Sequence, residues 1–203
     1  MKPRLSLILA LLALGIAARL APYALSHFGL SIDPGNTVYP WNFSPILPVC
    51  IFGGAFYGRK IMVYAIPFAT YLAGDLGIWA LTGRVDWAFY SFQPVVYLSV
   101  ALVATTGLAL RRQRSWGRVA AAGLISSVGF YLVTNFGLWA FSGGTLYPQT
   151  LAGLADCYVR GIPYFRNTLI SMAVFLPLLF SRVALRPPVP AQAYRFGGAH
   201  NLS

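Results

Sequence analysis

Long apolar runs set the class of fold open to this chain. The hydrocarbon core of a membrane is about 30 Å thick and takes roughly 20 predominantly apolar residues per helical crossing. Six stretches meet or approach that length: Leu5 to Leu25, Phe43 to Tyr57, Ile61 to Leu81, Phe92 to Leu110, Val119 to Phe141 and Ile162 to Leu185. The second is short and interrupted by Gly and Pro, so it is expected either to kink or to stop short of a full crossing. Pro45 is tolerable in a first helical turn, whereas Pro48 implies local irregularity. Only 9% of the 203 residues are charged, far below the quarter usual in soluble domains. The expected fold class is therefore all-α, a polytopic membrane protein with six transmembrane helices.

The charges sort between these stretches. Lys2, Arg4, Arg59, Lys60, Arg111, Arg112, Arg114, Arg118, Arg182, Arg186 and Arg195 fall in the N-terminus, the even-numbered connections and the C-terminus. A six-helix topology puts all of these on one side, and the positive-inside rule makes that side the cytoplasm, with both termini inside. Arg19, Arg84, Arg160 and Arg166 share the outer half with Asp33, Asp75, Asp86 and Asp156, so the net charge of +11 is a topology signal of one face. The basic residues punctuate apolar runs and form no soluble basic face, which argues against nucleic acid. The expected location is the bacterial inner membrane, multi-pass. A second reading of the first stretch is a secretory signal, with a basic Met1 to Arg4 and small residues around Gly15 and Ala17. Residues 1–186 form the membrane domain on this reading, and 187–203, with Pro187, Pro188 and Pro190, a disordered cytoplasmic tail.

The chain also repeats itself. Residues 71–83 and 131–143 share Y-L-x-x-[DN]-x-G-[IL]-W-A-x-[ST]-G, and the preceding helices open alike, with Asn42-Phe43-Ser44-Pro45-Ile46 and Ser91-Phe92-Gln93-Pro94-Val95. This reads as a duplicated helical hairpin, helices 2–3 and 4–5, flanked by the first and sixth helices. Shared use of an interfacial Trp and a terminal Gly by two outward-going helices is the alternative.

Polar groups gather in the outer half. Tyr64, Tyr71, Asp75, Trp79 and Thr82 lie on one helix face, as do Tyr131, Asn135, Trp139 and Ser142. Asp75 and Asn135 each sit about 9 Å below the outer helix ends, and Arg19 lies at a similar depth. An intramembrane charge costs roughly 3 kcal/mol or more unless it is paired or faces a wet cavity, so Arg19 and Asp75 are expected to face inward, either as a structural pair or as ligand contacts. Trp41 and Asn42 open the second helix. The last outer loop, Gly143 to Gly161, holds Tyr147-Pro148 and a segment with Leu151, Leu154, Ala155 and Tyr158 at helical spacing, read as a short amphipathic helix over the mouth, with Asp156 and Arg160 at its edges. Arg166 and Asn167 follow at the start of the sixth helix. The inner half is nearly all apolar, which suits a pocket open to the outside rather than a channel. The candidate ligand-binding residues are Arg19, Asn42, Asp75, Trp79, Asn135, Trp139, Tyr158, Arg160 and Asn167.

On the first helix, Ala10, Ala13, Ala17 and Ala21 form a small-residue stripe that allows close helix approach, inside the bundle or to a partner subunit at Ala13, Ala17 and Ala21. Chemistry has few candidates. No nucleophile elbow, HExxH, Walker A or GxGxxG occurs, the chain has no Glu, and its histidines are His27 and His200. Cys50 and Cys157 lack CxxC or Cys/His neighbours, so no metal site or cofactor is expected. Asp75 and Cys157 are the conceivable catalytic groups, and an enzyme is not expected.

Several of these stretches, Asn42-Phe43-Ser44-Pro45-Ile46, Phe52-Gly53-Gly54-Ala55, Gly74-Asp75, Thr134-Asn135-Phe136-Gly137-Leu138-Trp139, Tyr147-Pro148, Gly153-Leu154, Cys157-Tyr158, Gly161-Ile162-Pro163-Tyr164-Phe165 and Asn167-Thr168, resemble an uncharacterised family of small bacterial membrane proteins described as transport proteins. That family in turn is similar in architecture to the S components of energy-coupling-factor vitamin importers. The resemblance implies a solute-binding subunit with an outward-facing pocket for a small polar solute, a loop lid, and a small-residue motif that docks a coupling membrane subunit with ATPases. A structural or assembly protein without a ligand is the alternative, and an intramembrane enzyme acting on a lipid or isoprenoid is the third reading.

Overall fold

A computed structural model describes residues 2–29 and 41–186. The expected tail at 187–203 and Asp33 lie outside the described residues. The helices in chain order are α1 (Leu5–His27), α2 (Ile46–Phe56), α3 (Lys60–Thr82), the single turn α4 (Val85–Ala88), α5 (Gln93–Leu108), α6 (Trp116–Phe141) and α7 (Leu151–Phe180). Among the described residues five spans are long and apolar enough to cross a membrane: Leu5–Ser26, Lys60–Thr82, Val85–Leu108, Trp116–Phe141 and Leu151–Phe180. The second expected crossing is not among them. α2 has 11 residues, about 16 Å of helix, and Ile46 to Ala55 are all buried. It is a core element wrapped by the others rather than a lipid-facing span.

α2 and α5 form the centre. Their backbones touch where Gly54 meets Gly107, and a β-carbon on Gly54 would lie 2.7 Å from the Gly107 Cα, a close approach that only glycine permits. α3 and α6 flank this pair, α1 packs on α3, and α7 packs on α6 and α2. The principal core runs through Cys50, Ile51, Val63, Val100, Val103, Ala104 and Leu176. A second cluster joins Ile8 and Leu11 of α1, Val49 and Phe52 of α2, and Phe175 and Leu179 of α7.

A two-residue strand, β1 (Lys2–Pro3), pairs antiparallel with β2 (Leu185–Arg186), and the Arg4 N–H donates to the Ala184 carbonyl at 2.8 Å. Both ends of the described chain therefore lie at one end of the bundle. Arg59, Lys60 and the turn from Arg111 to Arg118 lie at this same end, because α2, α3, α5 and α6 end or begin there. Part of this basic turn has a structural task. Arg111 donates to the Gly54 carbonyl and the Tyr57 carbonyl, each at 2.8 Å, and Arg114 to the Ala55 carbonyl at 2.9 Å, with its guanidinium 4.2 Å from the Phe56 ring centroid. These cations occupy the carbonyls at the C-terminal end of α2, where the helix dipole is negative.

α7 departs from expectation. A separate amphipathic helix over the mouth is expected before a sixth span beginning at Ile162, but one helix runs from Leu151 to Phe180. Thr150 caps its start, its hydroxyl accepting from the Gly153 N–H at 3.1 Å. Pro163 lies inside it. Proline removes one backbone bond but does not end a membrane helix whose neighbours hold it in place, and Tyr131 and Tyr158 do so by donating to the Tyr158 and Leu132 carbonyls at 2.6 and 3.0 Å. Arg166 and Asn167 thus lie mid-helix, and Asp156 and Arg160 form an exposed (i, i+4) pair.

Candidate functional site

At the end opposite β1 and β2, the helices enclose a cavity of about 450 Å³, within the range of small-molecule sites. Its existence follows from the shortness of α2. That helix begins only at Ile46, beneath the cavity, and the non-helical 41–45 segment forms part of the wall. Asn42 has a φ of 65°, a left-handed conformation in which asparagine is the best tolerated residue after glycine. The segment is pinned to α7: Asn167 donates to the Trp41 carbonyl at 2.9 Å, and Ser171 donates to the Ser44 carbonyl.

The wall is aromatic, with Tyr23, Phe43, Tyr71, Trp87, Tyr90 and Phe130 among its rings. The polar side chains on it include Arg19, Asn42, Ser44, Thr134, Asn135 and Arg160. Among the described residues lining it there is no carboxylate, histidine or cysteine. Tyr147, from the turn before α7, also faces the space, and burial raises its phenol above the usual tyrosine range, with the nearby Cys157 adding to the rise.

Arg19 and Asp75 are brought together. Asp75 is fully buried, and its Oδ1 accepts from Arg19 Nη2. Its Oδ2 accepts from Gln93 Nε2 at 2.5 Å and from the Tyr97 hydroxyl at 2.7 Å, and Gln93 also donates to the Ala88 carbonyl at 2.9 Å. The carboxylate thus has three donors from α1 and α5, which offsets the desolvation of its charge. Gly74 makes room for the arginine: a β-carbon there would lie 2.9 Å from Arg19 Cδ. The guanidinium lies 4.9 Å from the Tyr71 ring centroid and keeps 22% of its side chain exposed. The three acids among the described residues are each paired with an arginine, Asp75 with Arg19, Asp86 with Arg84 and Asp156 with Arg160.

Of the nine candidate residues, Arg19, Asn42, Asn135 and Arg160 line the cavity, and five do not. Asp75 stands behind Arg19. Trp79 is exposed on the outside of α3, its ring 6.4 Å from that of Phe89. Trp139 donates its indole N–H to the Pro148 carbonyl at 2.9 Å and its own carbonyl accepts from Gln149 at 2.5 Å, so it fastens the turn before α7. Tyr158 joins α7 to α6, and Asn167 holds the 41–45 segment. Asn135 itself donates to the Tyr131 carbonyl at 2.8 Å, one turn back on its own helix, and its carbonyl accepts from the buried Cys157 thiol at 3.3 Å. Ala13 and Ala17 are exposed on the outer face of α1, and Ala21 is half-buried. No group of three or more His, Cys, Asp or Glu that could hold a metal occurs among the described residues.

Gln93 and Tyr97 are the partners that sequence reasoning missed. They stand four residues apart on α5, the spacing of one helix face, and a glutamine at the head of an apolar helix was the available signal. The inner half is also less apolar than expected: Thr106 meets Ser126 across α5 and α6 at 2.8 Å, and Tyr64 meets Thr105 at 3.2 Å.

The chain belongs to the family described as a family of unknown function (DUF6580), whose model matches residues 1–193. No curated protein and no solved structure matches it.

Proposed function

We propose that this protein is a solute-binding subunit of the bacterial inner membrane, holding a small solute in the aromatic-walled cavity and serving its uptake. The observation that carries the reading is the cavity itself, about 450 Å³ with arginine, asparagine and hydroxyl groups on its wall at the end of the bundle away from the basic turns. By the positive-inside rule the basic end and both termini face the cytoplasm, so the cavity opens outward. The turn at 142–150, which carries Tyr147, is the lid. The two hairpins, α2–α3 and α5–α6, derive from a duplication. In support, the matched Gly83 and Gly143 both take positive φ at the ends of α3 and α6, at 68° and 61°.

Uptake needs a source of energy that this chain does not carry. A coupling membrane subunit with ATPases, as in S-component systems, would dock on α1 at Ala13 and Ala17, which face outward, with Ala21 at the edge of the contact. The reading is of binding rather than catalysis, and it needs no cofactor.

One observation favours a second reading. Asp75 spends its acceptors on three internal donors, as it would in a structural or assembly protein without a ligand. Thermal-shift measurement of the purified protein against vitamins, nucleobases and metal ions separates the two. A solute-binding subunit gives a concentration-dependent rise with one compound class, lost in Thr134→Phe, which fills the cavity. If no compound raises the melting temperature, or the rise persists in Thr134→Phe, the solute-binding reading is wrong.

A further inference from the structure

Resting on the solute-binding reading, we infer that the cavity selects an aromatic carboxylate: an apolar ring held against the aromatic wall and an anionic group held by the open edge of Arg19. Among the described residues Arg19 gives an N–H on Nη2 to Asp75, and the Tyr90 hydroxyl, itself on the cavity wall, also stands at the guanidinium. A guanidinium has five such donors in a planar fork that matches a carboxylate. Asp75 is unable to compete for a ligand, because it is fully buried and its other oxygen is occupied by Gln93 and Tyr97. The carboxylate therefore holds the arginine in place from behind, and Arg19 is itself a lining residue of the cavity.

The surrounding charges point the same way. Arg160 contributes to the lining, whereas its partner Asp156 does not. The N-terminal end of α2, with Ile46 and Leu47 on the cavity wall, adds the positive end of a helix dipole. An aromatic wall by itself would also suit a cation. Here, however, two lining rings already face the protein's own cations: Tyr71 lies 4.9 Å from Arg19 and Trp87 lies 4.5 Å from Arg84. Among the described lining residues an incoming ammonium would meet two guanidinium groups, those of Arg19 and Arg160, and no carboxylate.

The test uses matched series: benzoate, 3-phenylpropanoate and 2-naphthoate, each beside its primary amide and the corresponding primary amine. Affinity for the purified full chain is measured by calorimetry and thermal shift. At least one acid is expected to bind tenfold or more tighter than its amide and its amine. Arg19→Lys, which leaves Asp75 a cation but removes the fork, is expected to reduce that preference at least tenfold. Arg160→Gln, which leaves the buried pair intact, is expected to reduce it about threefold and keeps the test open if Arg19→Lys fails to fold. Amides or amines that bind as tightly as the acids, with binding lost in Thr134→Phe, overturn the anion inference and leave the solute-binding reading standing. If no member of any series binds, the aromatic-carboxylate inference falls, while the solute-binding reading is decided by the wider thermal-shift screen. An acid preference unchanged in both arginine variants overturns the assignment to Arg19.

Discussion

Asp75→Asn is the sharpest perturbation of this fold, because it keeps the size of the side chain and removes its charge. The carboxylate accepts from Arg19 on one oxygen and from Gln93 and Tyr97 on the other. Asparagine has a single acceptor oxygen, so its amide NH₂ would face at least one of these donors, and Arg19 would lose its counter-ion. Removing one partner of a buried pair costs about 3–5 kcal/mol. Arg19 keeps 22% of its side chain exposed, which places the expected loss at the lower end, about 3 kcal/mol. For a chain of this size that is a fall of roughly 6–12 °C in apparent melting temperature. Arg19→Gln alone is expected to cost a similar amount, since Asp75 would keep only neutral donors. The double variant places two neutral amides side by side and is expected to recover about 2 kcal/mol of the summed losses. The assay is thermal melting of the four proteins in one detergent or nanodisc preparation. Additive losses, or an Asp75→Asn protein melting within about 2 °C of the parent, would refute the claim that this pair fastens α1 to α3 and α5.

Three further outcomes test other joints of the fold. Arg111→Ala removes two bonds to the carbonyls at the end of α2 and is expected to cost about 2 kcal/mol. Arg112→Ala, next in the chain and exposed, is expected to stay within about 0.5 kcal/mol in the same melting assay. At Asn42, whose φ is 65°, glycine is expected to be neutral, whereas valine costs about 1–2 kcal/mol; equal melting of the two variants would contradict the left-handed backbone. Gly74→Val puts a side chain where Arg19 crosses α3, and hydrogen exchange is expected to rise in residues 15–23 of α1 while α6 and α7 stay protected.

The all-α class and five helices long and apolar enough to cross a membrane were legible because they depend on long stretches of apolar character, which survive any detail of packing. The convergence of Arg19 and Asp75 was legible for a related reason, since isolated charges at membrane depth have few affordable arrangements. The site was only partly legible because position along a helix does not fix the direction in which a side chain is used. Trp79 and Trp139 occupy equivalent places in the repeat, yet one lies on the outside of α3 and the other fastens the turn before α7. Asp75 and Asn135 are likewise equivalent in sequence, but Asp75 draws donors from two other helices and Asn135 bonds back to its own. The neighbours of each helix decide these outcomes, and α3 has α1 beside it where α6 has α7. α7 was misdivided at Gly161-Ile162-Pro163 because breaker residues weigh heavily in a local reading and lightly in a helix held along its length.

The first sign of the cavity in the sequence was the irregularity of the second stretch. α3 has 23 residues and α2 has 11, so at 1.5 Å per residue α2 reaches only about half the height of its neighbour. A second helix of full length would occupy the space above Ile46. Instead Pro45 stands at the N-cap of α2 and Pro48 within its first turn, where a missing backbone N–H is least costly, and Asn42 turns the preceding segment aside. At the other end, Arg111 and Arg114 hold the helix by its last carbonyls. The short helix is thus fixed at its base and truncated at its top, and the basic turn that reads as a topology signal also helps to keep the cavity floor in place. Uncapping α2 with Arg111→Ala should then weaken ligand binding as well as stability, although Arg111 is absent from the cavity lining. Binding unchanged in a measurably destabilised Arg111→Ala protein would separate the two and show that the floor is held by the core alone.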